Sequence, residues 1–381
     1  MLYRYLPKNT GGTNLSPVAP TLTPLSTGFT QVIATASSND YSKVAIYGYT
    51  GGFYRIYYYD TQTRAMEQNT TNLVNTSLTF STLAYTADGL CRRLAFHQTQ
   101  SRNHLYSSDG TLLETGPPPQ ALDGQNSSLL NVYANGRPGT TGSIVTAPRI
   151  QATPTIRDNY NTVRVTIPSA RSTWSVCDYA PNRLIAFYSP TFNAENGTTE
   201  YVIYNTQNWS VVYSGVLKDA ANTTASLVSR IQDNRVIIVT TNGSPASYIG
   251  VYSISDSGVS LIGSELPVVR DYPSPASYTR PSVAVHLGPN KDHIYYDSGQ
   301  PISSQRDRVY GTSSFDLSTP TAPLSGLFKI TEDGLVPRQI LINYGMSGSQ
   351  MTNSQICFSA PNGDLLIVAT SVSRFDMSSL I

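Results

Sequence analysis

Charge is scarce in this 381-residue chain: Asp, Glu, Lys and Arg together make up 13% of it, and the formal net charge is +1. Lysine is the rarer cation, and arginine supplies most of the positive charge. A protein with so little electrostatic footprint is not built around a broad nucleic-acid or anionic-membrane surface. Cysteine is nearly absent as well. Cys91, Cys177 and Cys357 stand isolated in strand-like surroundings, which excludes a disulfide framework and a thiolate metal site and leaves them as small buried hydrophobes.

Other absences narrow the chemistry further. No lysine precedes a serine or threonine and no Gly-x-Gly-x-x-Gly element occurs, so nothing in the sequence cradles a phosphate. There is no His-Glu-x-x-His, Cys-x-x-Cys or EF-hand pattern, and Gly345-Met346-Ser347-Gly348 is not a nucleophile elbow. Only four histidines exist. His97 with His104 and His286 with His293 are spaced seven apart in strand or turn segments and read as structural groups. The expectation is therefore no catalytic residue, no cofactor and no metal. One enzymatic possibility stays open: carboxylates such as Asp178 and Asp292 meeting over a central channel as a glycosidase pair.

Long apolar runs are missing too. The opening Met1-Leu2-Tyr3-Arg4-Tyr5-Leu6-Pro7 lacks the apolar core of a secretory signal, and no run approaches the roughly 20 residues that span a bilayer. These features set the expectation of a soluble chain made in a cytoplasm. No stretch keeps helical periodicity.

What is present is a sequence rich in Ser, Thr, Asn, Gly and Pro with 26 tyrosines, a composition of strands and turns. The length exceeds a single ordinary core, so the chain is either several domains or one architecture that grows by repetition. A repeat is visible: an apolar strand, an Asn, Asp or Gly turn, and a second, strongly apolar strand. It occurs seven times, with turn residues Asp40, Asp88, Asn135, Asn182, Asn234, Asn290 and Asn362 at intervals of 48, 47, 47, 52, 56 and 72. Each copy leads into a more polar and aromatic hairpin, such as Tyr54 to Met66 or Ile249 to Ile262, turning on Asx-Gly chemistry that accepts positive φ.

A period of this size fits a four-stranded propeller blade. After the seventh inner hairpin only one more strand is available, around Val372 to Met377, so the last blade needs a strand from elsewhere. Leu2-Tyr3-Arg4-Tyr5-Leu6 has the composition to supply it and to remove a sheet edge. The expected organisation is one domain: residues 1–6 as closing strand, 7–29 as Pro-rich connector, and 30–381 as seven blades with a long insertion at 297–326. Two packed β-sandwiches are the competing architecture.

On these repeats the chain resembles the β-propeller superfamily along its whole length, without the marks of WD40 or kelch repeats. Ser108-Asp109-Gly110-Thr111 echoes the Asp-box of sialidase-like propellers without completing it. In composition the chain also resembles bacteriophage virion proteins. That resemblance implies a non-enzymatic structural or attachment part of a virion, tail-associated, docking to other virion proteins without nucleic acid or membrane insertion. A carbohydrate-binding propeller and a glycan-processing enzyme are the alternatives, the first with Tyr57-Tyr58-Tyr59 as a run that could stack on sugar.

The long connections Pro7 to Phe29, Thr146 to Tyr160, Ser189 to Thr199, Asp271 to Pro281, Asp297 to Gly326 and Asn343 to Asn353 are expected on one rim, where binding concentrates. Within them Arg306, Arg308, Tyr310, Tyr272 and Tyr278 are the candidate partner-binding residues, being of types enriched at interface hot spots.

Overall fold

The computed structural model describes residues between 23 and 376, apart from short gaps and the longer stretches 116–129, 135–143, 190–198, 270–281, 298–324 and 341–355. The described residues are all strand, turn or extended chain, paired as seven four-stranded antiparallel sheets. The first sheet holds β2 (Gln31–Ser37), β3 (Lys43–Thr50), β4 (Phe53–Asp60) and β5 (Met66–Gln68). The second holds β6 (Leu78–Tyr85), β7 (Cys91–His97), β8 (Arg102–Ser107) and β9 (Leu112–Thr115). The third holds β10 (Leu130–Ala134), β11 (Ile144–Pro148), β12 (Thr155–Asp158) and β13 (Thr162–Thr166). The fourth runs from β14 (Ser172–Ala180) and β15 (Arg183–Ser189) to β16 (Glu200–Asn205) and β17 (Ser210–Val216). The fifth has β18 (Thr223–Gln232), β19 (Arg235–Asn242), β20 (Ser244–Ser255) and β21 (Gly258–Val269). The sixth has β22 (Ser282–Leu287), β23 (His293–Asp297), β24 (Ser325–Thr331) and β25 (Gly334–Ile340). The last has β26 (Ile356–Ser359), β27 (Asp364–Val368), β28 (Val372–Asp376) and, on its outer side, β1 (Thr23–Leu25).

Each of the seven inner hairpins expected from the repeat is a strand pair here, and its chemistry is local. Asn182 and Asn234 turn at φ 57 and 62, the left-handed region that asparagine tolerates better than most residues. In β19 the run Val236 to Val239 is apolar on both faces because both faces are covered. Val236 and Ile238 pack toward the fourth sheet with Cys177, Ile185 and Ile203, whereas Ile237 and Val239 pack toward the sixth with Ile294 and Phe328. Tyr57 and Tyr59 face Leu366 of the seventh sheet, while Tyr58 packs with Ala34, Leu83 and Cys91 on the other side. The tyrosine run is therefore core, and Tyr57 and Tyr59 are buried.

Two expectations need correction. Thr23–Leu25, from within the proline-rich connector, pairs with β28 through Thr23 with Arg374, Pro24 with Ser373 and Leu25 with Val372. The edge assigned to Leu2 to Leu6 is occupied there, and Leu2 to Leu6 lie outside the described residues. The physical reason is chain order. Every other sheet hands its outer strand directly to the inner strand of the next, so the strand just upstream of β2 belongs to the outside of the sheet that precedes it. Secondly, Thr146 to Tyr160 is not one loop: it contains the end of β11 and all of β12, whose polar Thr-Ile-Arg-Asp gives little strand signal.

The innermost strands carry a feature the repeat does not announce. In β2, β6, β14 and β18 the register with the next strand slips near the start of the strand, skipping Ile33, Phe80, Trp174 and Ser226; β14 and β18 slip a second time, at Tyr179 and Ile231. A bulge at this recurrent place increases the twist of the strand where the sheets converge.

Candidate functional site

The innermost strands β2, β6, β10, β14, β18, β22 and β26 lie against their neighbours in sequence order. Their residues are mostly Ser, Thr, Ala, Val and Leu. Across all seven there is one carboxylate, Asp178, and one guanidinium, Arg230, with His286 the only other residue of this kind. These two come together across the fourth and fifth sheets: Arg230 Nη1 donates to Asp178 Oδ2 at 3.3 Å. The Asp178 side chain is 3% exposed, and burial pushes its carboxyl up to about 7, against a smaller lowering from its own backbone amide. A contact this long does not offset the loss of water around a buried carboxylate.

Away from this pair, the starts of the second strands are tied to the outer turn of the following sheet. Arg183 donates from Nε and Nη2 to the two oxygens of Asp256, both at 2.7 Å, and holds that carboxyl below the usual range. Arg235 Nη2 donates to the Thr331 carbonyl at 3.1 Å. Asp364, at the start of β27, is fully buried and accepts from Arg64 at 3.0 Å and Arg374 at 3.4 Å. Arg64 sits in the outer turn of the first sheet, so the last sheet is linked to the first in the manner that the fourth is linked to the fifth and the fifth to the sixth.

Three polar clusters lie between or within sheets. Lys218 Nζ and Tyr252 Oη both donate to Glu265, Thr240 Oγ1 donates to it at 3.3 Å, and Lys218 lies over the Tyr248 ring. Arg93 is buried between the rings of Tyr47 and Tyr106 and donates to the Tyr47 hydroxyl at 2.9 Å. Asp292 meets His293 Nδ1 at 2.7 Å and Lys329 Nζ at 3.3 Å.

Asp178 is thus matched to Arg230 and Asp292 to His293 and Lys329; the two carboxylates considered as a glycosidase pair have separate partners in the fourth and sixth sheets. His104 and His293 are buried in packing, as their structural reading expects. Cys91 and Cys177 are buried, and burial pushes the Cys91 thiol up to about 12, where it is inert as a nucleophile. Asp109 closes a hairpin turn, accepting from Ser107 and from the Thr111 amide at 3.0 Å, which accounts for the partial Asp-box without any substrate. Arg306, Arg308, Tyr310, Tyr272 and Tyr278 lie outside the described residues. Arg230 was not singled out from the sequence, although a lone arginine in an otherwise neutral inner strand was the available signal. Among the described residues no group of three or more His, Cys, Asp or Glu side chains could hold a metal ion, and no helix is long and apolar enough to cross a membrane.

The fold is that of a β-propeller. Similar solved structures include the Cps50 (Swd1) β-propeller domain of Myceliophteria thermophila, at 10% identity and a TM-score of 0.53, covering 94% of this chain and 99% of that one. Drosophila Semaphorin 1a, extracellular domains 1–2, matches at 9% identity and 0.54, covering 95% and 88%. Kuenenia stuttgartiensis hydrazine synthase matches at 13% identity and 0.52, covering 97% and 99%. No protein-family model matches the sequence, and no curated protein is similar to it. Proteins as different as these, at such low identity, share architecture with this chain and nothing more specific.

Proposed function

We propose that this chain is a non-catalytic scaffold, a closed ring of seven blades that docks partner proteins through one rim, and that it serves as a structural or attachment component of a bacteriophage virion, in its tail. The observation that carries the docking reading is strand order. In antiparallel four-stranded sheets the first-to-second and third-to-fourth turns share one end. The second-to-third and sheet-to-sheet connections share the other. The five longest connections, 116–129, 190–199, 270–281, 298–324 and 341–355, all leave strands at that second end. Long insertions on one side of a rigid frame are where proteins place recognition.

The nearly uncharged inner strands support a non-catalytic reading, since glycan cleavage needs at least two convergent carboxylates and these strands supply one, paired with arginine. The virion assignment rests on the neutral, hydroxyl- and tyrosine-rich composition. Ring closure is supported by Leu366 packing with Val44 and Ile46, and by the Arg64 contact to Asp364. A double-mutant cycle on Arg64 and Asp364 is expected to give a coupling of about 1–2 kcal/mol in denaturant unfolding. A coupling indistinguishable from zero would remove that support.

The functional reading is tested in particles. Quantitative mass spectrometry of purified virions should find the chain in fixed copy number, and replacing 298–324 with a short Gly-Ser linker should leave the melting temperature unchanged while abolishing incorporation. Absence from intact particles overturns the virion assignment. Strong binding on a glycan array would turn the reading to a lectin, a role that Tyr57 and Tyr59 cannot support because they are buried.

A further inference from the structure

Between Val44 and Tyr59 the chain carries a single charge, Arg55. Arg64, Arg183, Arg230 and Arg374 each meet a carboxylate of this same chain. Arg55 differs. Its Nε donates to the Asn72 amide oxygen at 2.9 Å, its guanidinium carbon lies 5.2 Å from the centre of the Phe53 ring, and among the described residues it meets no carboxylate. Phe53 is itself 46% exposed. A large apolar side chain left in water beside an unneutralised guanidinium has the composition of an interface hot spot.

Local structure fixes the pair. β3 and β4 are joined through Gly51 and Gly52, at φ 56 and 88, the values of a tight turn whose twist matches that of the strands it joins. Their register runs without a slip from Thr50 opposite Phe53 to Lys43 opposite Asp60, so Phe53 and Arg55 share one face with Tyr57. That face looks toward the seventh sheet, where Tyr57 packs with Phe29 and Leu366. Gly48 stands opposite Arg55 and puts no side chain over it. The guanidinium is thus held through Nε and stacked on a ring, with Nη1 and Nη2 bonded to no described residue. Little side-chain freedom is left to lose when those donors engage.

We propose that Phe53 and Arg55 form a docking point for a partner protein, which places a carboxylate on the guanidinium and an apolar side chain on the exposed phenylalanine ring. The inference rests on the rim-docking reading, because the β3–β4 turn is a second-to-third connection and lies at the end where the five longest connections leave their strands. Charge selects the occupant. One arginine with no other cation between Val44 and Tyr59 matches one carboxylate, held bidentately, whereas a phosphodiester chain is gripped by several cations. A second copy seated on the same patch about a two-fold axis would set Arg55 against Arg55. Phe53 supplies apolar area and Arg55 the orientation, a division of labour common at the centre of protein interfaces.

Binding of the full chain to an array of synthetic peptides tests this, each peptide carrying one Asp or Glu flanked by Leu or Phe, with Asn or Gln in the same place as its control. The expected result is a preference of about tenfold for the carboxylate over its amide, the factor that one charge-assisted contact supplies. R55A should lose that preference. R55K should weaken it, because an ammonium cannot pair bidentately, and F53S should weaken binding to both kinds of peptide. Unchanged near-ultraviolet circular dichroism will show that each variant is folded. Equal binding to carboxylate and amide peptides overturns the proposal, and so does a preference that R55A retains. Stronger binding to glycans bearing a carboxylated sugar, lost in R55A, would assign the patch to a sugar acid and overturn it as well. Absence of the chain from particles would overturn the virion assignment alone. Virions that take up R55E normally, but not the chain lacking 298–324, would overturn this docking point and leave rim docking in place.

Discussion

Gly263→Ala is expected to lower the unfolding free energy by about 3–5 kcal/mol, a loss on the scale of a buried-core deletion from a residue that is itself solvent-exposed. Two independent constraints meet at this position. Gly263 has φ +69, where an L side chain costs roughly 1–2 kcal/mol. A Cβ would also lie 1.7 Å from the Asp333 carbonyl oxygen, in the outer turn of the sixth sheet, so backbone would have to move. The tightness is reciprocal, because a Cβ on Gly334, at φ +114, would lie 2.7 Å from the Ile262 carbonyl oxygen. The fifth and sixth sheets thus approach at a contact between two glycines that admits no side chain from either. Gly52→Ala separates the two costs: at φ +88 with no atom within 4 Å of its Cβ, it should lose only the conformational part. Urea unfolding midpoints of the two variants decide the matter. If Gly263→Ala costs no more than Gly52→Ala, the close approach of the two sheets is not energetically significant.

Such contacts mark where sequence reading stops. The inner hairpins were legible because their signal is local: an Asx turn between two apolar strands, with Asn182 and Asn234 in the backbone conformation their chemistry favours. The apolar runs also said that both faces are covered, as Val236 to Val239 show by dividing between two neighbours. Relations between sheets left no such trace. Leu2 to Leu6 resembles a strand more than Thr-Pro-Leu does, yet Thr23–Leu25 pairs with β28, since its place is fixed by connectivity to β2 and not by propensity. The bulges at Ile33, Phe80, Trp174 and Ser226 carry no common residue type. Asp178 was noticed as a carboxylate, but its partner lies 52 positions away on the next inner strand. Of the candidate site, Asp178 was readable in the sequence, and Arg230 and its pairing with Asp178 were not.

That pairing governs how stability depends on pH. In the unfolded chain Asp178 titrates near 3.8, whereas in the fold burial raises it to about 7, so the folded state holds a proton through the interval between. Proton uptake favours the state that binds it, and the Asp178 contribution is therefore complete below about pH 4 and lost as pH rises through 7. A shift of this size corresponds to at most about 4 kcal/mol. The lowered carboxylates act in the opposite sense and in a separate window: Asp256, held down by Arg183, and Asp292, held down by His293 and Lys329 against its burial, cost stability only as pH falls below about 4. Unfolding free energy should accordingly be greatest near pH 4–5 and decline toward pH 8. Asp178→Asn keeps the size and removes the titration. It should match the wild type near pH 4.5, exceed it at pH 8 by up to the amount the wild type has lost, and flatten the profile between. The charge of Arg230 limits that gain, since a neutral amide leaves the guanidinium with a weaker acceptor; Arg230→Met in the same background should recover the remainder. A wild-type profile flat from pH 4.5 to 8, or an Asp178→Asn variant that declines in parallel with the wild type, would mean that Asp178 is ionised throughout and that the Arg230 contact outweighs the burial.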